Sequence, residues 1–223
     1  MVDLPEPVRA LAARLGADGS FKRVRLKQSG SMSAGRGKPW MRFSATETID
    51  LTTVMFDWRA RIGPLSALTV VDRLSSDETR SELRFLGVVP LSRPPPDQDA
   101  LRKGQTLRYL AEIAWAPDAI LRNASLHWET KGALIRVSSP GHSRPWCVEL
   151  ELDEEGRIRR ATADGRPCME KGKFIERPWQ GRFWDYRERQ SRWIPFRGEV
   201  AWIIDGIPSK VWEGTITEWE ACG

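Results

Sequence analysis

The chain has 223 residues, of which 35 are Lys or Arg and 30 are Asp or Glu, giving a formal net charge of +5. At 40% hydrophobic and 29% charged residues it has a globular composition, and a chain this long buries roughly 70% of its unfolded surface without needing staples. Three widely spaced cysteines, Cys147, Cys168 and Cys222, argue against a disulfide scaffold and for a reducing compartment; the moderate, dispersed positive charge argues against a nucleic-acid footprint.

The opening "MVDLPEPVRALAARLGADGS" has acids and two prolines where a signal peptide needs a basic start and an apolar core. No apolar run approaches the ~20 residues required to span a bilayer. A cytoplasmic location is therefore expected.

In chain order, Val8, Leu11, Ala12 and Leu15 recur at helical spacing, which predicts a short amphipathic helix over 5–15 ended by Gly16. From Phe21 the period becomes two: Val24, Leu26 and Gln28 share one face, and Arg23, Arg25 and Lys27 the other. Short β-branched and aromatic segments follow to residue 91, punctuated by Gly and Pro as in a meander. "SRPPPDQDALRKG" breaks this run with a proline-rich turn. A helical segment over 97–116 comes next, with Asp97 or Asp99 as its cap, a kink at Gly104, and Leu101, Leu107, Leu110, Ile113 and Ala114 as its apolar stripe. Strands resume over 124–221, with hairpin turns around Asp153–Gly156 and near Gln190–Arg192.

The expected fold class is mainly β, in one domain over 1–223. About ten antiparallel strands curve into an unclosed or closed barrel around one or two helices, because so long a sheet must hide its edges.

The segments "GKPWMRFSATETID", "FDWRARI", "LRYLAEIAWAPDAIL", "PWQGRFWDYRERQSRWIPFRGEVAW" and "WEGTITEWE", in that order, resemble a bacterial family known as a domain of unknown function. The resemblance covers residues from about 20 to 220 and implies no particular activity. Its strand–helix–strand plan is similar to the lipoprotein-localisation-factor (LolA-like) fold, an unclosed β-barrel over helices that carries acyl chains, which implies hydrophobic-ligand carriage as an expectation by analogy of fold.

Few motifs carry chemistry. The two histidines, His127 and His142, and the three cysteines lack metal-ligand spacing, and no phosphate loop, dinucleotide fingerprint or nucleophile elbow occurs. Neither metal nor cofactor is expected. In "RFWDYRERQSRW" the acids Asp185 and Glu188 stand among the arginines and would repel phosphate, so no nucleic acid is expected as a partner.

Eleven tryptophans are the conspicuous feature, four of them between Trp179 and Trp202. Indoles favour half-wet walls, because the ring buries area while its N–H needs a partner. An aromatic cavity lined by Trp58, Tyr109, Trp115, Trp128, Trp184 and Trp202 is expected, holding a hydrophobic small molecule, with a peripheral membrane contact compatible with such a ligand. Alternation over 179–204 is expected to turn Trp184 and Tyr186 inward against Trp202 or Val200, and Arg187 and Arg189 outward toward Glu199.

Glu112 follows Arg108 by four residues. Either the two form an exposed pair worth a few tenths of a kcal/mol, or Glu112 and Tyr109 face a lumen beside Trp115, where a desolvated carboxyl gains acid–base character. The second case supports an alternative function, a cofactor-independent cyclase, isomerase or hydrolase with Glu112, Tyr109, Asp185 and Tyr186 as acid–base candidates. A third alternative is a regulatory or structural interaction protein whose cavity is filled by its own side chains.

Overall fold

The computed structural model describes residues 4–33, 35, 37–91 and 97–223; the expected turn at Pro94, Pro95 and Pro96 lies outside them. After α1 (Glu6–Arg14) come β1 (Arg23–Ser33), β2 (Trp40–Asp50), β3 (Phe56–Ile62), β4 (Leu68–Leu74), β5 (Thr79–Phe85) and the two-residue β6 (Val89–Pro90). The helical segment is α2 (Gln98–Ala111), a 3-10 turn (Glu112–Trp115) and α3 (Ala119–Arg122). The second set of strands is β7 (His127–Lys131), β8 (Leu134–Ser139), β9 (Trp146–Leu152), β10 (Ile158–Glu170), β11 (Lys173–Arg189), β12 (Arg192–Ile204) and β13 (Ile207–Cys222).

Among the described residues thirteen strands form one antiparallel sheet, in the order β6-β5-β4-β3-β2-β1-β13-β12-β11-β10-β9-β8-β7. The sheet is unclosed, with β6 and β7 as its edges. Three more strands form than the sequence pattern predicted. Each set folds as a meander, and the β1–β13 pairing joins them: Arg23 opposes Cys222 and Met32 opposes Trp212.

Alternation produces the curvature. Val24, Leu26 and Gln28 on β1, Phe43, Ala45, Glu47 and Ile49 on β2, and Phe56, Trp58, Ala60 and Ile62 on β3 are buried on the concave face. α2 lies against that face. Asp97 caps it, accepting from the Ala100 amide at 2.9 Å, and Gly104, the expected site of a kink, lies buried within one continuous helix. It is buried at Leu101, Leu107, Tyr109, Leu110 and Ala111, the burial expected of a helix enclosed by a sheet rather than laid on its surface.

The other end of the barrel is capped. Trp193 at the start of β12 donates its amide to the Leu15 carbonyl at 3.0 Å. Arg192, 2% exposed, makes a two-pronged contact with Asp118, Nε to Oδ2 at 2.7 Å and Nη2 to Oδ1 at 2.9 Å. Its guanidinium also meets Asp18, Ser20 and the Phe21 ring. One buried cation thus ties β12, α3 and the segment after α1 together.

The faces of β11 differ from the expectation. Trp179, Gly181 and Phe183 are the buried positions, and Trp184, opposite Arg197, is 40% exposed on the convex side. Trp202 lies opposite Trp179, not Trp184 or Tyr186. Arg187 and Arg189 cover the Phe196 ring at 4.7 and 4.8 Å, while Glu199 pairs with Arg182 and Lys210. Both faces of this strand carry aromatics and charges, so alternation separates the two sets without saying which one the sheet turns inward.

Candidate functional site

A cavity of about 320 Å³ lies between the concave face and the C-terminal half of the helical segment. Its wall is aromatic: Trp58 on β3, Trp115 at the end of the 3-10 turn, Trp179 and Phe183 on β11, and Trp212 on β13. Trp115 is the hub, meeting Phe183 edge-on at 5.3 Å between centroids and Trp212 at 6.3 Å. Its indole N–H donates to the Pro195 carbonyl at 2.9 Å, and its own carbonyl accepts from Trp219 at 2.9 Å. Gly181 and Gly198 also line the space. A Cβ on Gly198 would stand 3.4 Å from the Trp115 ring, so side chains there would occupy room that the glycines leave open.

The cavity floor is polar and highly connected. The Trp58 indole donates to Gln28 Oε1 at 2.9 Å, and Gln28 Nε2 donates to Glu47 Oε2 at 3.0 Å. Arg108 then donates Nη2 to Glu47 at 2.8 Å, Nη1 to Asp72 at 3.0 Å and Nε to Glu112 at 2.7 Å. Its guanidinium also covers Phe56 at 4.7 Å and Trp58 at 4.9 Å. Desolvation opposes the Arg108 charge, but Glu112, Glu47 and Asp72 outweigh it and hold the side chain protonated.

Three carboxyls around one guanidinium leave an excess of negative charge, which Glu47 relieves. Burial, and then the neighbouring Glu112 charge, push the Glu47 carboxyl well above its ordinary range. Beside it the buried Oε2 of Glu112 has no hydrogen-bond partner among the described residues. An unpartnered carboxyl oxygen at the cavity wall can accept a hydrogen bond from a ligand.

Arg166 on β10 is different. It lines the cavity, half-buried, with its guanidinium 4.7 Å from the Trp179 ring and 5.6 Å from Trp202. Nε donates to the Gly104 carbonyl at 3.2 Å. Among the described residues no carboxylate lies within 4.0 Å of it, whereas Arg108 has three. Burial, and then the like charge of Arg108, lower its pKa to about 10. Beside it the Trp179 indole N–H is buried and has no partner among the described residues. Donors thus outnumber acceptors on this side of the cavity.

Of the sequence candidates, Trp58, Trp115 and Glu112 come together at this cavity, and Glu112 is buried, not part of an exposed pair. Tyr109 does not line it. Fully buried, its hydroxyl donates to the Asp50 carbonyl at 2.9 Å and accepts from Asn123 at 3.0 Å, so it anchors α2 to the end of β2. Trp128 is core at β7, apart from the cavity, and Trp202 touches the site only through Arg166. Trp184, Asp185 and Tyr186 line a charged groove outside the sheet with Arg157, Arg160 and Arg182. There Asp185 is exposed and paired with Arg187, and the Tyr186 hydroxyl donates to the Ile158 carbonyl at 2.7 Å.

Sequence reading missed Trp179, Phe183, Trp212, Arg166, Asp72 and Glu47. One signal was available for Glu47: it occupies an inward position of the Phe43–Ala45–Glu47–Ile49 alternation, where a carboxylate needs a partner. Among the described residues no three His, Cys, Asp or Glu side chains gather as a metal site would.

Fold and site define an unclosed antiparallel half-barrel, closed over a helix around an aromatic cavity with a buried ionic floor. The chain belongs to a family of unknown function, DUF6544, whose model matches residues 1–214. No curated protein matches the sequence. Among solved structures it is similar to a LolA superfamily protein from Nitrosomonas europaea, at 10% identity over 96% of this chain and 91% of that one, with a TM-score of 0.43. It is also similar to a DUF1329 family protein from Desulfovibrio piger, at 9% identity over 97% and 94% of the two chains, with a TM-score of 0.49. Neither likeness is close enough to bear on what this chain binds.

Proposed function

We propose that the protein binds and carries a hydrophobic, lipid-like small molecule in the aromatic cavity, with the ligand's polar end set against Arg166. The observation that carries this reading is the pairing of an apolar aromatic wall with a desolvated arginine that lacks a carboxylate partner. The apolar part of a ligand would gain area against Trp58, Trp115, Phe183 and Trp212, and an acidic or strongly accepting end would satisfy Arg166 and the Trp179 N–H. The volume suits a short chain or a few fused rings, since small-molecule sites run from roughly 300 to 1,000 Å³. Three unpaired cysteines support a reducing, cytoplasmic setting.

The test is native mass spectrometry of protein from its source, followed by tryptophan-fluorescence titration with medium- and long-chain acids, alcohols and methyl esters. A co-purifying amphiphile and saturable quenching are expected. No co-purifying molecule and no response to any member of the panel would overturn the reading.

One observation favours a second reading, a cofactor-independent enzyme: Glu112 lines the cavity with a buried carboxyl oxygen that has no partner among the described residues, where a bound substrate could exchange a proton with it. On that reading Glu112→Gln abolishes turnover of a cavity ligand and leaves its binding intact.

A further inference from the structure

We propose that the open rim of the half-barrel is a docking surface for anionic lipid membranes. The β1–β2, β3–β4, β5–β6, β8–β9, β10–β11 and β12–β13 turns lie along one edge of the sheet, because the strands alternate in direction; the rim is the part of that edge from β5–β6 through β1–β2 and β12–β13 to β10–β11. The proposal does not depend on the identity of the cavity ligand.

The rim gathers apolar side chains that the fold itself does not use. Leu65 is fully exposed at the β3–β4 turn; Leu86 and Val88, at the β5–β6 turn, are 67% and 77% exposed; Ile207 opens β13 at 68% and Trp40 opens β2 at 45%. The β3–β4 and β5–β6 turns are joined, the Leu86 amide donating to the Ala67 carbonyl at 2.7 Å, so Leu65 and Leu86 project from one composite tip. Both have left-handed backbones, φ 58° and 50°, a conformation that suits glycine and disfavours leucine. A leucine held there and left in water gains nothing inside the protein. The opposite end of the barrel shows the contrast: there α1 and α3 cover the strand ends, and Val8, Leu11 and Leu15 are buried.

Charge selects the partner. Lys38, Arg42, Arg61, Lys171 and Lys173 stand exposed at or beside these turns, and none has a carboxylate within 4.0 Å among the described residues, whereas other surface cations such as Arg59, Arg157 and Lys210 are paired. Asp205, exposed at the β12–β13 turn, has no cation within 4.0 Å among the described residues. Apolar tips sharing a sheet edge with unpaired cations match a surface with an acyl interior beneath anionic headgroups. Met32 and Trp212 oppose each other one residue short of the rim end of β1 and line the cavity, so a membrane seated there would meet the side from which the aromatic wall begins.

The test is flotation of the full chain with phosphatidylcholine vesicles with and without phosphatidylglycerol. Binding is expected only with phosphatidylglycerol, and it should fall as salt screens the rim. Lys171→Gln and Lys173→Gln should each weaken it by about fivefold. Leu65→Glu combined with Val88→Glu should abolish it with no change in melting temperature, since both side chains are exposed. Gly181→Val, which fills the cavity, should still float, separating this proposal from the ligand reading. Absence of flotation, or flotation insensitive to both sets of substitutions, would overturn it. So would a dimer in light scattering that disappears on the Leu65→Glu and Val88→Glu changes, because the tips would then cover a second copy of the chain.

Discussion

Glu47 on β2 accepts a hydrogen bond from Nη2 of Arg108 on α2 at 2.8 Å, across 61 positions of sequence. This contact pins the enclosed helix to the concave sheet at the floor of the cavity. It also places a carboxyl with no exposed surface on its side chain where its charge is hardest to carry.

That burial makes a pH dependence. The folded Glu47 carboxyl has a pKa above the unfolded value, so the folded state holds a proton that the unfolded state has lost. Its effect is absent below about pH 4, where both states are protonated, and stability declines as pH rises from there toward the folded pKa, by at most about 1.4 kcal/mol per unit. Glu47→Gln keeps an oxygen acceptor toward Arg108 but has no proton to lose, and should flatten this slope. Thermal unfolding at acidic and at mildly alkaline pH checks it: the variant should gain on the wild type as pH rises. Glu47→Ala, which leaves Gln28 Nε2 and one N–H of Arg108 without an acceptor while Asp72 and Glu112 still pair the guanidinium, should cost roughly 1–3 kcal/mol.

Arg166→Gln removes a half-buried cation that has no carboxylate partner and lies near the like-charged Arg108. Melting temperature should hold or rise, in contrast to ordinary losses at buried charges. Binding of an acidic amphiphile should weaken by about tenfold or more, as for a lost charge-assisted hydrogen bond, while the matching alcohol binds as before. Equal losses for acid and alcohol would show that Arg166 acts through packing alone.

Gly181→Val places methyl groups into the cavity from a strand position that suits a β-branched residue. Ligand-dependent fluorescence change should disappear, with a stability change within about 1–3 kcal/mol. Retained titration would move the ligand elsewhere on the protein.

The two neighbouring β11 tryptophans should respond oppositely. Trp179→Ala, at a buried inward position, should cost roughly 3–5 kcal/mol. Trp184→Ala, on the convex face, should cost under about 1 kcal/mol. Urea unfolding of both variants distinguishes this arrangement from its inverse.

Breaking the Arg192–Asp118 contact at the capped end should cost roughly 3–5 kcal/mol in Arg192→Ala, because Asp118 would remain buried and unpaired. Chemical denaturation is the measurement, and Arg192→Lys should recover only part of the loss, since an ammonium cannot make both prongs.

What could be read in the sequence was whatever depends on near neighbours. Period-two runs marked the strands, Asp97 or Asp99 the helix start, Gln190–Arg192 the hairpin tip, and the length of sheet the need to curve. The surplus of indoles foretold an aromatic interior, and Trp58, Trp115 and Glu112 were singled out from it. Tertiary structure decided which face of β11 turns inward, and therefore that Trp179 and Phe183, and not Trp184, wall the cavity. It also decided that Arg108, four residues from Glu112, would draw in Glu47 and Asp72 from two strands, while Arg166 would receive no carboxylate. Alternation and helical spacing are properties of a few consecutive residues. A buried charge is settled by whatever the sheet's closure over the helix brings within hydrogen-bond reach.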